Sequence, residues 1–445
     1  MNRYGRRPME EASKSSHSYV INDEEVKQYL EACNMPKTAD EVAINPKYLH
    51  DIEYPERNAI ENIIAIDGGY QNVAVKKTFP SSTIAFFQFG ALMLNVKDLD
   101  NLSNEPFISP EAMAKMKELQ RTKLVIPTKN ISLKRSRTLT KSVRKTLHEF
   151  FNKKTNGDSM NESLKWFLFQ EFDQVEDNYQ LASCPVCRES RIKVKRKEID
   201  EKDYTFTCTE CKGKIYLTDV FRLHEAIDDE IGAGGILGYL TSLVEQFIII
   251  HTIRSIIKIQ PALLKKLLFI KDGPLAFFGQ TANMHAPMRD LCNFLSKKYD
   301  LYMVGLEKSG TFVEHADEIS EKLNPGQVLL LSNEHIYKYI LPGDPETEDP
   351  YARTSYYSSK LIFKSRDERM YVMTIPTADE EVVLNPRLND FKNLATILLN
   401  IEKLKCDMYD NALLPVALVN KLVSLSNHPS SVLLEKFAKN SISTT

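Results

Sequence analysis

Several features that mark specialised proteins are scarce in this sequence of 445 residues. Sixteen glycines and 20 prolines are too few for a collagen-like or low-complexity chain. Neither charge sign prevails, because 58 Lys and Arg face 60 Asp and Glu, so a polyanion would have to bind at a local basic patch. What the chain does have is 42% hydrophobic residues, and its length predicts a well-packed protein of two or three domains.

Targeting and membrane signals are missing as well. Residues 1–7 are followed by polar residues instead of an apolar segment, so we expect no secretory signal and a cytoplasmic protein. The most apolar stretch, 243–259, is interrupted by Glu245, Arg254 and Lys258, which a lipid-facing span of about 20 residues would not carry. We therefore predict a buried helix there and no contact with a membrane.

Familiar catalytic signatures are also absent. The sequence contains no GxxxxGK[ST] phosphate-binding loop, no HExxH zinc motif and no Ser-His-Asp signature. An intrinsic ATPase, a zincin and a serine hydrolase are therefore disfavoured. Any energy that the protein needs would come from a partner.

Four of the seven cysteines form two CxxC pairs with 20 residues between them: Cys184, Cys187, Cys208 and Cys211. Four thiolates at this spacing can surround one tetrahedral zinc ion, so we predict a zinc ribbon whose metal is structural. Arg191–Lys197 and Asp203–Thr207 are expected to pair as its hairpin. A redox dithiol is disfavoured because the flanks lack a βαβ setting. The cations of the ribbon either follow a phosphate backbone or form a solvated face that docks a protein.

Strand-like and helix-like segments alternate along the chain. Glu61–Ile66, Asn72–Lys76 and Thr83–Val96 predict an antiparallel meander, and residues 218–260 predict one or two long helices broken near Gly232. Together with the later segments they indicate an α/β domain with a mixed sheet and helices on its faces. The expected units are an N-terminal arm and helix (1–58), the first part of the α/β domain (59–180), the ribbon insertion (181–215), the second part (216–430) and a tail (431–445).

Two aspartates share one local setting. Asp67 and Asp272 each follow an apolar run and precede glycine, which predicts carboxylates at strand ends. Such carboxylates can share Mg²⁺ or Mn²⁺, and two ions held about 3.5–4 Å apart support phosphodiester cleavage. The helix before the second strand offers a third carboxylate, Glu245 first, with Glu230 and Glu225 as alternatives. The opposing interpretation is that each Asp-Gly pair is an ordinary turn.

Three short motifs, read together, resemble the core motifs of the NurA nuclease family. They are IDGG (residues 66–69), FIKDGPL (269–275) and VGLEKS (304–309), and the similarity spans roughly residues 60–425. The resemblance implies an RNase H-like nuclease that resects DNA ends with Mn²⁺, acts as a homodimer and works with the hexameric HerA ATPase. It also implies that Asp67, Asp272 and Glu245 bind the metal, and that Lys308 holds the scissile phosphate as a point charge.

The C-terminal motif departs from the pattern of that family. Family members commonly carry a Tyr-Pro…Leu…Ala-His motif, whereas residues 413–422 read LLPVALVNKL, in which Pro415 and Leu418 fit but Tyr and His are missing. The candidates to replace the histidine are Asn420, Lys421 and, further on in an expected loop, His428. The inserted ribbon is not part of the simplest archaeal members and indicates a bacterial branch paired with HerA-like ATPases in repair or phage defence.

Two further features carry open alternatives. Residues 129–154 hold nine Lys and Arg against one acid, Glu149, and either guide a DNA strand or form a solvated helix face. Tyr351, Tyr356 and Tyr357 either stack on unpaired bases or pack in the core.

The function that these features predict is metal-dependent DNA cleavage with a HerA-type ATPase as partner. The alternative is a catalytically weak zinc-ribbon adaptor that docks DNA or an ATPase, and the missing C-terminal histidine is its main support. An RNase H-like enzyme that acts on RNA is a third possibility, because no residue displays sugar discrimination.

Overall fold

The computed structural model describes residues 19–33, 35, 37–76, 79–97, 118–155, 157–406, 413–425 and 430–443. Residues 1–18 of the expected N-terminal arm, and His428, lie outside these ranges. The described strands are β1 (Leu49–Asp51), β2 (Asn62–Lys76), β3 (Ser82–Asn95), β4 (Glu118–Lys129), β5 (Lys154–Thr155), β6 (Asp158–Ser159), β7 (Asn178–Ser183), β8 (Ser190–Lys195), β9 (Thr205–Thr207), β10 (Lys214–Tyr216), β11 (Leu267–Asp272), β12 (Tyr302–Glu307), β13 (Gln327–Leu330), β14 (Ser358–Lys364) and β15 (Met370–Pro376).

The described α-helices are α1 (Glu24–Glu31), α2 (Leu139–Asn152), α3 (Met160–Leu168), α4 (Leu237–Ile259), α5 (His285–Lys298), α6 (Thr311–Glu318), α7 (Asn333–His335), α8 (Leu394–Lys403), α9 (Leu414–Val423) and α10 (Ser430–Ser443). Short 3₁₀ turns lie between many of these elements.

Nine of the described strands form one mixed sheet in the order β1-β13-β14-β15-β12-β11-β2-β3-β4. β2, β3 and β4 are antiparallel neighbours. β2 also pairs in parallel with β11, and β11 pairs in parallel with β12, whereas the strands beyond β12 are antiparallel. Helices pack on both faces of the sheet, so the predicted α/β fold with a mixed sheet and flanking helices is confirmed.

The meander is built differently from the prediction. Residues 62–66 and 72–76 belong to one continuous strand, β2, instead of two. The strand continues through Asp67, Gly68 and Gly69 because all three pair with residues of the long neighbouring strand β3. The third strand of the meander is therefore β4, and Asp67 lies inside a strand instead of at its end.

Alternation of side chains divides the core between the two faces of the sheet. Ile64 and Ile66 point to the face covered by α2, α3 and α4, whereas Ile63 and Ala65 point to the face covered by α6, α8 and α9. All four side chains are buried, and each isoleucine contributes on the order of 1.5–3 kcal/mol relative to an exposed one. The central strands are thus held on both sides, which makes them a rigid support for a site.

Helix α4 runs for 23 residues through the first of these cores. With the turn before it, Gly234–Ile259, it is long and apolar enough to cross a membrane, yet 67% of its most apolar window is buried inside the protein. A buried helix over 243–259 is therefore confirmed. The first half of the helix predicted for 218–260 is wrong, because Arg222 (φ 61°) and Gly232 (φ 128°) adopt backbone conformations that end helices, and short 3₁₀ turns take its place.

Candidate active site

The two predicted aspartates stand side by side on neighbouring parallel strands. The parallel pairing of β2 with β11 runs as far as Ile66 and Lys271, and the next residue on each strand is Asp67 and Asp272. Asp272 is the last residue of β11, so it occupies a strand end as predicted. Asp67 does not, because beyond Ile66 its strand keeps hydrogen bonding to β3, where Asp67 pairs with Gly90.

A cavity of about 440 Å³ opens at this place. Its lining contains all four residues predicted for catalysis, namely Asp67, Asp272, Glu245 and Lys308, together with Gly273, Pro274, Glu307, Ser309 and Asn420. These residues come from β2, α4, the ends of β11 and β12, and α9. Segments more than 300 residues apart in the chain therefore meet in one cavity.

Glu245 is the member of the predicted glutamate set that reaches the cavity. It projects from α4 and is 5% exposed. Its approach depends on Gly68, because a Cβ at that position would lie 3.1 Å from Glu245 Oε1 and 2.6 Å from the Phe89 ring. The two alternatives lie elsewhere: Glu225 accepts hydrogen bonds from Arg222 and Ser183, and Glu230 is exposed in a loop.

Each of the three carboxylates has one oxygen bound to a nearby donor. The backbone N–H of Gly68 donates to Asp67 Oδ1 at 2.8 Å, and Lys308 Nζ donates to Asp272 Oδ2 at 2.7 Å. Lys271 Nζ lies 2.8 Å from Glu245 Oε2. The other oxygen of Asp67, Oδ2, is buried without a hydrogen-bond partner among the described residues. A buried polar atom without a partner is costly, so Oδ2 is a candidate ligand for a cation.

Burial and mutual repulsion disfavour the ionised forms of two of these groups. Burial raises the pKa of Asp67 to about 6, and the charge of Asp272 adds to this shift, whereas Lys308 opposes it. Burial raises the pKa of Glu245 to about 7, against the opposing effect of Lys271 and with a further contribution from Asp67. A cation bound among these carboxylates would restore their ionised forms, because an opposite charge stabilises the deprotonated state.

The donor set fits a hard divalent cation in chemistry and partly in geometry. Carboxylate oxygens are the ligands that Mg²⁺ and Mn²⁺ prefer, and Asp67 Oδ2 has no competing donor. The spacing is looser than in a closed cage, since in the described part of the chain the four cysteines are the group whose ligand atoms all lie within 4.8 Å of one another. The carboxylates would therefore have to move slightly to share one ion.

Charged residues in the cavity and beside it were not among the predicted site residues. Lys271 is a lysine inside a strand whose residues are otherwise apolar up to Asp272, and it is only 3% exposed. Glu307 pairs with Lys360, which is also buried. Both lysines could have been found from the sequence, because each directly adjoins an apolar run. A lysine that is buried beside such a run needs a partner of opposite charge.

The C-terminal helix α9 contributes Asn420. This residue lines the cavity, and its carboxamide faces Asp67, although it completes no hydrogen bond to Oδ2. Of the three candidates to replace the missing histidine, Asn420 is therefore the one that the structure shows in the lining of the cavity. Lys421 is exposed and does not line the cavity.

The tyrosines at 351–357 pack into the protein. Tyr357 is fully buried, and its hydroxyl donates to Gln246 Oε1 at 2.7 Å. The ring of Tyr356 lies 4.9 Å from the ammonium of Lys360, and the Tyr351 ring packs against it at a tilt of 50° with a centroid distance of 5.8 Å. Of the two alternatives, core packing is the one that the burial supports.

The basic segment 129–154 divides into a buried and an exposed part. Arg144 of α2 is buried and makes a bidentate ion pair with Asp219, at 2.8 and 2.7 Å, which is a structural role. The exposed cations lie at both ends of the helix: Lys134, Arg135, Arg137 and Lys141 are near its start, Lys153 and Lys154 follow its end, and Lys129 ends β4. This part matches the solvated face and is also the part that remains available to a polyanion.

The four cysteines of the predicted ribbon lie together. Their Sγ atoms are all within 4.8 Å of one another, with Cys184 to Cys211 and Cys187 to Cys208 each at 3.9 Å. A tetrahedral ion with Zn–S bonds of about 2.3 Å requires edges of about 3.8 Å, so this group can hold a metal such as zinc. Burial opposes ionisation of Cys208, but backbone donors from Cys211 and Glu210 outweigh it and lower its pKa to about 7.

The hairpins of the ribbon differ from the prediction. Residues 191–197 do not pair with 203–207; instead β7 pairs with β8, and β9 pairs with β10. Each CxxC motif is the turn of its own hairpin, because the chain reverses direction at the motif and brings the two flanking segments together. The ribbon therefore consists of two small hairpins with the four thiols between them.

No known protein-family model matches this chain, and none of the curated proteins is similar to it.

Proposed function

We propose that this protein is a metal-dependent DNA nuclease of the NurA type. The observation that carries the proposal is the cavity in which three carboxylates from separate elements, Asp67, Asp272 and Glu245, meet Lys308 while one buried oxygen of Asp67 lacks a donor. Ordinary Asp-Gly turns would not converge in this way. The order of antiparallel β2, β3 and β4 followed by parallel β11 and β12 supports the RNase H-like fold that the resemblance implies.

The residues of the cavity suit phosphodiester hydrolysis. Asp67, Asp272 and Glu245 would hold Mn²⁺ or Mg²⁺, which supplies charge stabilisation and an activated water. Lys308 is part-exposed and pairs with Asp272, from where it can hold a phosphate oxygen as a point charge. Gly273, with φ 81°, and Pro274 line the rim without long side chains, so a phosphate can approach the backbone.

The remaining parts of the proposal concern assembly. The cysteine group binds a structural zinc ion, because all four ligands come from the protein and leave no open coordination position. A homodimer forms a channel for DNA, and a hexameric HerA-like ATPase feeds the DNA into it. The exposed cations near the start of α2, and those on the ribbon, are the surfaces proposed to contact the DNA or the ATPase. The protein is expected in the cytoplasm.

The test measures Mn²⁺-dependent degradation of end-labelled single- and double-stranded DNA, with and without a HerA-like ATPase and ATP. We expect cutting by the wild type and a loss of at least about 100-fold in Asp272→Asn, since removal of one electrostatic group at a reacting centre typically costs that much. Asp300→Asn is the matched control, because Asp300 is exposed and its ion pair among the described residues is with Lys265 at the surface. Equal cutting by wild type and Asp272→Asn would reject the nuclease.

The second candidate is the adaptor, which is favoured by Asn420 in the place of a histidine. An adaptor would bind DNA or the ATPase, cut nothing in the presence of Mn²⁺, and behave identically after Asp272→Asn. An RNA strand of the same sequence in the same assay tests the third possibility. Faster cutting of RNA than of DNA would reassign the substrate while keeping the site.

A further inference from the structure

A lysine stands inside the carboxylate cluster. Lys271 is in β11, immediately before Asp272, and its side chain is 3% exposed. Its ammonium lies 2.8 Å from Glu245 Oε2 and donates a hydrogen bond to the backbone oxygen of Asp272 at 2.7 Å. The positive charge therefore lies between two of the three candidate metal-binding residues, at a depth that solvent does not reach.

The oxygens that remain available are few. One oxygen of each carboxylate is already engaged, by Gly68 N–H, Lys308 or Lys271, which leaves one oxygen each for a metal. Two ions about 3.5–4 Å apart need carboxylate oxygens that face both of them. On Glu245 and Asp272, a second ion would compete with Lys271 and Lys308 for the oxygens that these lysines hold.

The net charge of the cluster also disfavours a second divalent cation. The three carboxylates carry three negative charges when ionised, and Lys271 and Lys308 supply two positive charges within 3 Å of two of them. One divalent cation would leave the group with a net single positive charge, whereas two would leave three positive charges in a largely buried site. The second arrangement is strongly repulsive where solvent screening is weak.

We infer that Lys271 takes the place of a second divalent cation, so that the carboxylate cluster binds a single Mn²⁺ or Mg²⁺ ion. Lys271 is then a positioning residue: it holds the carboxylate of Glu245 and neutralises one charge that an ion would otherwise neutralise. This inference rests on the proposed metal site and adds to it the number of ions and the reason for that number.

The experiment counts Mn²⁺ on the zinc-loaded full-length chain. Electron paramagnetic resonance of free and bound Mn²⁺ measures the stoichiometry, and the spectrum at saturation distinguishes an isolated ion from a spin-coupled pair. We expect one Mn²⁺ per chain with an uncoupled spectrum for the wild type, at least a tenfold weaker affinity for Asp67→Asn, and two Mn²⁺ with spin coupling for Lys271→Met. Lys266→Met, an exposed lysine at the entry to β11, is the control and keeps one ion.

Two coupled Mn²⁺ ions on the wild type would overturn the inference, and so would a folded Lys271→Met variant that still binds one. Should Lys271→Met fail to fold by circular dichroism, Lys271→Gln keeps a donor for the Asp272 backbone oxygen and serves the same comparison. The result is separable from the proposed function. One bound ion without DNA cutting contradicts only the nuclease, two bound ions with cutting contradict only the inference, and no bound Mn²⁺ contradicts both.

Discussion

Replacement of Asp67 by asparagine should make the protein more stable when Mn²⁺ and Mg²⁺ are absent. Asp67 is 3% exposed, its Oδ2 has no donor among the described residues, and Asp272 lies beside it. Burial and the charge of Asp272 raise its pKa from 3.8 to about 6. The ionised side chain is therefore less favourable in the folded protein than in the unfolded chain, and the neutral amide removes that cost.

The size of this stabilisation follows from the change in the pKa of Asp67. A rise from 3.8 in the unfolded chain to about 6 in the folded protein corresponds to about 3 kcal/mol of folding free energy above pH 6. Because the pKa is higher in the folded protein, ionisation of Asp67 destabilises the fold. This destabilisation is near zero below pH 3.8, grows between pH 3.8 and 6, and is constant above pH 6. The new amide N–H takes the position of Oδ2, and an imperfect hydrogen bond there would cost about 1 kcal/mol. We expect a net gain of about 2 kcal/mol at pH 7.5 and about 0.6 kcal/mol at pH 5.

The assay is urea unfolding of the zinc-loaded chain in buffer without Mn²⁺ or Mg²⁺, at pH 7.5 and pH 5. Asp300→Asn, in which the carboxylate removed is exposed, should change the free energy of unfolding by less than about 0.5 kcal/mol. Added Mn²⁺ should stabilise the wild type but not Asp67→Asn. If Asp67→Asn is no more stable than the wild type at pH 7.5, or its gain does not depend on pH, the reasoning on Asp67 is wrong.

Three further predictions concern other parts of the molecule. Gly68→Ala should destabilise the protein by about 1–3 kcal/mol in urea unfolding and weaken Mn²⁺ binding, because the new methyl group collides with Phe89 and displaces Glu245; unchanged Mn²⁺ affinity would contradict this. Elemental analysis should find one zinc ion per chain, and removal of that zinc by a chelator should increase proteolysis of residues 178–216. A chain that is purified without zinc and resists proteolysis as well as the zinc-loaded chain would exclude the zinc ribbon. Burial lowers the pKa of His315 to about 4 and of His335 to about 3, so both side chains stay neutral in the folded protein down to about pH 4.5, and the free energy of unfolding should fall by about 5 kcal/mol between pH 7 and pH 4.5; a flat profile would refute it.

Local patterns were enough to locate much of the site. The CxxC spacing predicted the four thiols that meet in the ribbon, because four ligands from two tight turns impose a geometry that does not depend on the rest of the chain. The apolar run before Asp272 predicted β11 and its end. The apolar spacing around Glu245 predicted the buried helix that carries it. In each case the signal lies within one element.

Strand pairing was not accessible in the same way. Glycines at 68 and 69 indicated a turn, yet β2 continues because β3 offers hydrogen-bond partners on the other side of the hairpin. In the ribbon, the two strands that flank each CxxC motif pair with each other, and the strands of different CxxC motifs do not pair. Both errors arise because a β-strand is defined by the strand that it hydrogen bonds to, and local composition does not say which segment that partner is or how far the pairing extends.

The amino-acid order alone predicted which residues form the candidate sites: two aspartates next to glycines, a glutamate on an apolar helix, a lysine after β12 and four cysteines in pairs. Their meeting in one cavity, the missing donor at Asp67 and the place of Lys271 against Glu245 depend on how the strands align and how α4 and α9 cross the sheet. The physical reason is that residue type and spacing act over a few residues, whereas distance and burial between such groups are set by packing across the whole chain.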